Sequence, residues 1–409
     1  MKGNVIVGQS GGPTAAINSS LAGVYRTAID RGAPKVYGMC HGIEGLLKED
    51  YIDLSEHIQT DLDAELLKRT PAAYLGTCRY KLPEIHEDIE CYKKIFEILD
   101  KLNIECFIYI GGNDSMDTIK KLSDYAILNG HPCKFLGVPK TIDNDLALTD
   151  HTPGYGSAAK YIGTSVKEII QDSKALIYNK GLVTIVEVMG RNAGWLTGAA
   201  ALSKGEDCDG PDLIYLPELP FDIDDFLERI KKILTKKTFA VVAVSEGIRL
   251  EDGRYVCELT DGIDFVDAFG HKQLTGTANY LARRIAQEIG CKTRTIELSS
   301  LQRAASHLAS RIDILEAAQV GGAAVKAADE GDTGEMVIIK RLSDDPYQAT
   351  TELRNVHKVS NVEKTVPREW INKDGTYVTD EFISYVKPLI QGDIQPIMVN
   401  GIPRYLYKR

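Results

Sequence analysis

The chain has 409 residues, of which 44% are hydrophobic and 26% are charged, and its formal net charge is −10. This balance is typical of a globular protein with two or three domains. The negative net charge argues against general nucleic-acid binding, which needs basic clusters. No apolar run reaches the roughly eighteen residues of a membrane-spanning helix. The eight cysteines form no C-x-x-C pair. We therefore expect reduced thiols in a cytoplasmic protein, with neither a zinc site nor a disulfide scaffold.

In the first part of the chain, short apolar runs alternate with helical patterns and end in polar loops. Strands are predicted at 2–7, 106–110 and 134–138, and helices at about 14–29 and 85–102. Such alternation predicts a parallel, doubly wound sheet. Because ligands bind beyond the carboxyl ends of parallel strands, we expect the three loops that follow these strands to converge.

A second α/β unit is predicted from about residue 150. Its strands are expected at 181–188 and 238–244, and each again ends in a polar loop. Helices are predicted at 277–289 and 304–328, before a strand at 335–340. The predicted fold is therefore two doubly wound, mostly parallel-sheet, Rossmann-like domains with the active site in the cleft between them. The expected domains are 1–148, completed by about 304–365, and 149–303, with a C-terminal extension at 366–409 of uncertain placement.

Two glycine-rich loops have the composition of phosphate sites. The first, at 8–14, reads GQSGGPT, and glycines at a strand-to-helix turn let backbone N–H groups approach a phosphate. Taken alone, a structural tight turn explains it equally well. The second, at 111–115, reads GGNDS and adds ligand types that suit magnesium. The alternative for this loop is helix capping by Asp114 or Ser115.

The loop at 139–145, PKTIDND, is the most informative of the three. It places Lys140, Asp143 and Asp145 just after a buried strand. A lysine can neutralise a phosphoryl group in transfer, one aspartate can accept a proton from an attacking hydroxyl, and the other can hold magnesium. A solvated surface turn is the weaker alternative. Arginines near predicted strand ends would add phosphate contacts; they are Arg79, Arg191, Arg294 and Arg303.

The order of motifs resembles that of the phosphofructokinases over roughly residues 1 to 330. The motifs are GGPTAAIN, LGTCR, GGNDS, PKTIDND, EVMGR, SEG and LQR. Several motifs in register make this resemblance specific. It implies a magnesium-dependent transfer of a phosphoryl group to fructose 6-phosphate in glycolysis or gluconeogenesis.

The resemblance also implies a role for each matching residue. Asp143 would be the general base, with Lys140 and Asp114 as further catalytic residues. The implied donor-binding residues are Gly11, Arg79, Gly112 and Ser115. The implied sugar-phosphate residues are Thr141, Met189, Gly190, Arg191, Glu246, Arg294 and Arg303. Asn113 and Asp145 would hold magnesium. Arg294 would reach in from a neighbouring subunit, which predicts a homodimer or homotetramer.

Two positions bear on the phosphoryl donor. Members of the family that use ATP have glycine where this chain has Asp114 and Lys140. The aspartate would occupy the space of the nucleotide α-phosphate and repel its charge, and the lysine would stabilise a phosphate leaving group. The resemblance is therefore greatest to the members that use pyrophosphate.

The chain departs from the family pattern at several positions. Asn113 stands where most members have a metal-binding aspartate, Ser300 replaces a histidine or tyrosine, and Ala304-Ala305 replaces a glycine pair. Sedoheptulose 7-phosphate is therefore an alternative acceptor.

An ATP-dependent enzyme is the nearest alternative function. A non-catalytic subunit would have lost the base or the donor loop, whereas Asp143, Asp145 and Lys140 are all present in this chain. A dinucleotide-dependent oxidoreductase would need the Rossmann glycine spacing, which is missing.

Overall fold

A computed structural model describes residues 1–176, 181–259, 274–360 and 362–408. The chain packs into two compact units. The first comprises Met1–Ser157, Arg303–Glu363 and Gln391–Arg409, and the second comprises Ala158–Gln302 and Lys364–Ile390. The C-terminal extension, which the sequence left unplaced, is thus divided between the units near residue 390. Within the described ranges, no helix has both the length and the apolarity that crossing a bilayer requires.

The strands are β1 (Asn4–Gln9), β2 (Val36–Met39), β3 (Tyr51–Asp53), β4 (Ile104–Gly111), β5 (Lys134–Pro139), β6 (Leu182–Val188), β7 (Leu213–Tyr215), β8 (Phe239–Ser245), β9 (Lys292–Glu297), β10 (Glu335–Asp344), β11 (Tyr347–Asn355), β12 (Met398–Val399) and β13 (Ile402–Pro403). The helices are α1 (Ile17–Asp30), α2 (Gly42–Leu47), α3 (Asp61–Arg69), α4 (Ile89–Lys101), α5 (Asn113–Asn129), α6 (Tyr155–Lys174), α7 (Trp195–Gly198), α8 (Ile223–Leu234), α9 (Thr277–Glu288), α10 (Leu301–Ala304), α11 (Arg311–Glu330) and α12 (Asp380–Val386).

The first unit is built on a sheet whose described strands run in the order β11-β10-β5-β4-β1-β2-β3. Its central pairs are parallel, and only the outer strands β11 and β3 pair antiparallel. Side chains alternate across the sheet, so that Val5 and Val7 pack on one face with α1 and α11, and Ile6 packs on the other with α4 and α5. A sheet covered on both faces is the arrangement expected of a doubly wound fold.

Helices α1 and α11 pack at unusually short range in the first unit. A Cβ atom added to Gly23 of α1 would lie 2.1 Å from the carbonyl oxygen of Ala318, and one added to Gly321 of α11 would lie 2.2 Å from that of Ser20. Only glycine therefore permits this approach, because any side chain would collide with backbone. The close contact fixes α11 against α1, and Val320 and Val325 of α11 join the core on that face of the sheet.

The second unit has its own sheet, which in the described residues is fully parallel and runs in the order β7-β8-β6-β9. Val183 and Ile185 of β6 pack in a core with Phe226 of α8 and Leu281 of α9. Part of the C-terminal extension belongs here, since the ring of Phe382 fills the space beside Gly198 and stacks 6.0 Å from Trp195. Both units are thus mostly parallel α/β structures, which confirms the predicted fold class.

Candidate active site

The loops that follow β1, β4 and β5 meet at one edge of the first unit's sheet. Strand β4 lies between β1 and β5. Backbone hydrogen bonds continue beyond the strands, from Ser10 N to the Ile110 oxygen and from Lys140 N to the Gly111 oxygen, both at 3.0 Å. The convergence predicted from the sequence is confirmed, and it places GQSGG, GGNDS and PKTIDND side by side.

Lys140 lies in the middle of these loops and is almost completely buried, with 2% of its surface exposed. Its ammonium Nζ donates a hydrogen bond to the carbonyl oxygen of Gly12 at 2.7 Å. A Cβ atom on Gly11 would lie 3.4 Å from the same nitrogen, and Gly11 has a φ of 75°, so a side chain there would be both strained and crowded. Two adjacent glycines therefore give the lysine its position against the first loop.

Burial lowers the pKa of Lys140 to about 8, because the charged form loses its hydration. The carboxylates of Asp143 and Asp145 act in the opposite direction, and the guanidinium groups of Arg303 and Arg79 lower the pKa further. Five charged groups are therefore close enough to influence one another. A buried ammonium with two arginines nearby is an environment in which an anion would be favoured.

The two arginines belong to the same edge of the sheet. The Nη1 atom of Arg303 lies 3.6 Å from the position of a Cβ atom on Gly12. Arg79 follows Thr77, whose hydroxyl donates to the Gly11 oxygen at 2.7 Å, and Gly11 N donates to the Cys78 oxygen at 3.2 Å. The segment that leads to Arg79 is thus hydrogen-bonded to both the carbonyl oxygen and the N–H group of Gly11.

The second loop leads into α5, and its four site residues surround the start of that helix. Gly112 is the N-cap and has no side chain, so neither Asp114 nor Ser115 occupies the N-cap position. Asp114 lies in the first turn, where a negative charge interacts favourably with the helix dipole. Ser115 is buried, and a Cβ atom on Gly111 would lie only 1.9 Å from its Oγ.

The third loop is held in a tight turn by its own side chains. Asp143 N donates to the Thr141 hydroxyl oxygen at 3.0 Å, and that hydroxyl is 3.4 Å from Asp143 Oδ2. Asn144 adopts a φ of 55°, a left-handed conformation that asparagine tolerates better than most residues. The carboxylates on either side of it, Asp143 and Asp145, both act on the Lys140 ammonium.

Asn113 provides an observation relevant to metal binding. Its Oδ1 atom is inaccessible to solvent and has no hydrogen-bond partner among the described residues, whereas its Nδ2 lies 3.4 Å from the Val362 oxygen. Across those same parts of the chain, no group of three histidine, cysteine, aspartate or glutamate side chains is arranged to hold a metal ion. Magnesium is commonly held by one or two protein oxygens together with substrate phosphates and water. An unpartnered amide oxygen beside a phosphate-type loop fits that pattern.

The second unit brings together another group of predicted site residues, at the ends of β6 and β8. Gly190 N lies 3.5 Å from Glu246 Oε1, and Glu246 N donates to the Val188 oxygen at 2.9 Å. Gly190 has a φ of 133°. Arg191 passes so close to Gly247 that a Cβ atom there would lie 2.0 Å from the Arg191 oxygen. Met189 N faces Gln302 Oε1 at 3.3 Å.

Arg294 is not part of that group. It lies opposite Thr184 in the β6–β9 ladder, well before the Met189–Arg191 loop begins. Its guanidinium pairs with Asp172 at 2.6 Å on the surface of the second unit. The other sugar-binding candidates, Thr141 and Arg303, lie with the loops of the first unit.

Sequence reasoning missed one buried carboxylate of the second unit. Burial raises the pKa of Glu187 to about 7, with a further contribution from Glu297. Its Oε2 accepts a hydrogen bond from Ala278 N, in the first turn of α9, at 2.7 Å. The signal was present in the motif EVMGR, where a glutamate interrupts an otherwise apolar strand two residues before Met189.

The comparisons with known proteins agree with these motifs. The family model "Phosphofructokinase" matches residues 4–328. The chain is 41% identical to the pyrophosphate–fructose 6-phosphate 1-phosphotransferase of Halomonas elongata over 403 residues, covering 98% of this chain and 95% of the relative. It is also 41% identical to the protein of that name from Xanthomonas campestris pv. campestris, covering 99% of this chain and 96% of the relative.

A solved structure is similar over nearly the same length. It is the pyrophosphate-dependent phosphofructokinase of Nitrosospira multiformis, which superposes with a TM-score of 0.88 at 36% identity and covers 98% of this chain and 95% of that one. Sequence relationship, fold and the order of the site loops therefore lead to one conclusion. The chain belongs to the phosphofructokinase family.

Proposed function

We propose that this protein reversibly transfers a phosphoryl group from inorganic pyrophosphate to the C1 hydroxyl of fructose 6-phosphate. The products are fructose 1,6-bisphosphate and phosphate. The observation that carries the proposal is the buried Lys140 ammonium, held at the junction of three loops where ATP-dependent members of the family would have glycine. The names of the relatives at 41% identity support the same donor and acceptor.

The donor phosphates are proposed to bind to the loops of the first unit. The glycine turns at Gly11 and Gly112 let backbone approach the phosphates, and the positive end of the α5 dipole adds attraction. Arg79 and Lys140 supply positive charge, and Ser115 is the remaining donor-binding residue. Lys140 stabilises the phosphate that leaves, as charge accumulates on it during transfer.

Asp143 is proposed to act as the general base. Its carboxylate takes the proton of the C1 hydroxyl, whose oxygen then attacks the terminal phosphorus of pyrophosphate. The bond from that phosphorus to the bridging oxygen breaks, and phosphate departs with the electron pair. Thr141 orients Asp143, as their local hydrogen bond indicates.

The residues proposed for fructose 6-phosphate are those that the family motifs imply. Met189, Gly190, Arg191 and Glu246 would bind the sugar, and Arg303 its phosphate. Arg294 would serve a neighbouring copy, since it lies on the surface of its own unit. This role implies a homodimer or homotetramer.

We propose that Asn113 and Asp145 hold magnesium together with the donor phosphates. Bound there, the ion would neutralise phosphate charge as it develops. The unpartnered Oδ1 of Asn113 supports this assignment. An amide ligand brings no charge, so Asp145 would supply the protein's electrostatic contribution.

The choice of donor is tested by replacing both diagnostic residues. Asp114→Gly combined with Lys140→Gly removes the charge that opposes a nucleotide α-phosphate and the charge that assists a phosphate leaving group. We expect turnover with pyrophosphate to fall by about two orders of magnitude or more, and ATP to gain as a donor relative to pyrophosphate. Initial rates with each donor measure the effect, and unchanged pyrophosphate turnover would refute the assignment.

The general base is tested by Asp143→Asn, which keeps the shape of the side chain and removes its basicity. We expect kcat to fall by roughly two to four orders of magnitude while fructose 6-phosphate still binds. Equilibrium binding of the sugar phosphate, measured by calorimetry, separates loss of chemistry from loss of the site. Turnover close to that of the wild type would exclude Asp143 as the base.

A further inference from the structure

A second segment of the first unit runs directly beside the third loop and holds it. Thr152 N donates to Asn144 Oδ1 at 3.1 Å, and the Thr152 hydroxyl donates to the Thr141 oxygen at 2.9 Å. In the opposite direction, Thr141 N donates to the Pro153 oxygen at 3.2 Å. Asp143 lies between the two residues held by these bonds. The orientation of Asp143 therefore depends on the position of 151–154, which we call the support segment.

The support segment is in turn fixed by Asp313, in the first turn of α11. Asp313 Oδ1 accepts a hydrogen bond from Gly154 N at 2.8 Å, and Oδ2 accepts from Ser157 N at 3.0 Å and from the Ser157 hydroxyl. The carboxylate is 2% exposed. Burial raises the pKa of Asp313, although these hydrogen bonds oppose the shift. A charge buried at this cost must be stabilised by its contacts to the segment.

One turn further along α11, Glu316 holds the other end of the support segment. Its Oε2 lies 2.6 Å from His151 Nε2, and its Oε1 accepts a hydrogen bond from the Tyr347 hydroxyl, also at 2.6 Å. The other ring nitrogen of His151, Nδ1, lies 2.7 Å from Asp150 Oδ1. That carboxylate is also bound by Arg341 at 2.9 Å.

With a carboxylate at each ring nitrogen, His151 can satisfy both contacts only as a doubly protonated imidazolium. Burial alone would lower the pKa of His151, but the two carboxylates outweigh it and raise the pKa. Glu316, His151, Asp150 and Arg341 thus form a series of alternating charges within the first unit. This network links α11 to the support segment. Helix α11 is itself fixed by its glycine contact with α1.

We propose that Glu316 and Asp313 are positioning residues for the general base, acting through His151 and the support segment on the loop that carries Asp143. The inference rests on the proposed function, because it assigns a role within that reaction. Neither residue needs to touch a substrate. Their effect is to keep the loop at 139–145 in one geometry, and displacement of a reacting group by about 1 Å can reduce a rate about a hundredfold.

The test replaces Glu316 with glutamine, which keeps the size of the side chain and removes the charge that pairs with His151. We expect kcat with pyrophosphate and fructose 6-phosphate to fall by about ten- to a hundredfold, with the KM for pyrophosphate within about twofold of the wild type. Amide hydrogen exchange in a peptide spanning 139–150 should accelerate by about tenfold or more. The matched control is Glu352→Gln, which breaks an exposed ion pair with Lys340 in the hairpin of β10 and β11. This control should leave both kcat and the rate of amide exchange unchanged.

Two results would overturn the proposal. One is a kcat within about twofold of the wild type together with unchanged exchange. The other is a loss of kcat equal to the loss of folded protein, which would make the network structural only. If Glu316→Gln does not fold, Tyr347→Phe can be used instead, because it removes a single hydrogen bond from Glu316. This variant should lower kcat and accelerate amide exchange by about three- to tenfold. If the wild type does not use pyrophosphate, the proposed function fails, and the exchange measurement alone still decides the positioning role.

Discussion

Lys140→Met is a prediction in which stability and activity should change in opposite directions. The pKa of Lys140 is lowered from 10.5 to about 8 in the folded protein. At about 1.36 kcal/mol per pKa unit, keeping this lysine charged at pH 7 costs the folded state about 3 kcal/mol. Methionine has a similar volume and no charge, so the cost disappears.

One opposing effect reduces the gain. The carbonyl oxygen of Gly12 loses its hydrogen bond from the ammonium, and leaving such a group unsatisfied costs about 1 to 3 kcal/mol. We therefore expect the free energy of unfolding to rise by between zero and about 2 kcal/mol. For a unit of this size, that corresponds to a thermal midpoint between unchanged and about 8 °C higher.

Turnover should respond differently, since the role proposed for Lys140 is to stabilise the leaving phosphate. We expect kcat with pyrophosphate to fall by about two to three orders of magnitude. Thermal denaturation and initial rates on the same preparation measure both effects. Lys340→Met, at a half-exposed lysine paired with Glu352, is the matched control and should change neither by much. A midpoint more than about 4 °C lower, or turnover within about tenfold of the wild type, would refute the reasoning.

Two pH experiments test the unusual titrations. Because the pKa of Lys140 is about 8, kcat/KM for pyrophosphate should decline as the pH rises above about 8, and Lys140→Arg, which stays charged, should lack that decline. A decline of equal size in both proteins would assign it to another group. The pKa of Glu187 is raised from 4.5 to about 7, so the folded state binds more protons and loses up to about 3 kcal/mol of stability as the pH rises through that window. Thermal midpoints recorded between pH 4 and 8 should show this loss of stability in the wild type, and Glu187→Gln should remove it. If the variant loses as much stability as the wild type, Glu187 is not the source of the loss.

Local patterns predicted most elements, and the differences arise where side chains interrupt a pattern. The apolar spacing predicts a helix from 85, but α4 begins at Ile89 because Asp88 accepts a hydrogen bond from Cys91 N and caps it there. The predicted helix at 304–328 is broken after Ala304, where α10 ends, and α11 begins only at Arg311, where Ser310 caps it by accepting a hydrogen bond from Asp313 N. Composition alone gave no indication of this break.

The candidate site followed from the sequence where parallel topology dictates it. Once β1, β4 and β5 are neighbours, their loops must share one edge, and Lys140 must lie near Gly12. Contacts between distant segments could not be predicted in that way. The bond from Thr77 to Gly11 and the pairing of His151 with Glu316 join segments 66 and 165 residues apart, and no periodicity encodes them. Burial, which gives Glu187 its unusual pKa, also becomes visible only in the folded chain.

The proposed preference for pyrophosphate as the donor can be measured by a comparison of initial rates. The wild-type protein is supplied with magnesium and fructose 6-phosphate, and with either pyrophosphate or ATP. We expect a kcat/KM for pyrophosphate at least about a hundredfold above that for ATP, because the roles proposed for Asp114 and Lys140 are to oppose a nucleotide and to assist a phosphate leaving group. Equal or greater efficiency with ATP would mean that Asp114 and Lys140 do not select pyrophosphate, while the chain would remain a member of its family.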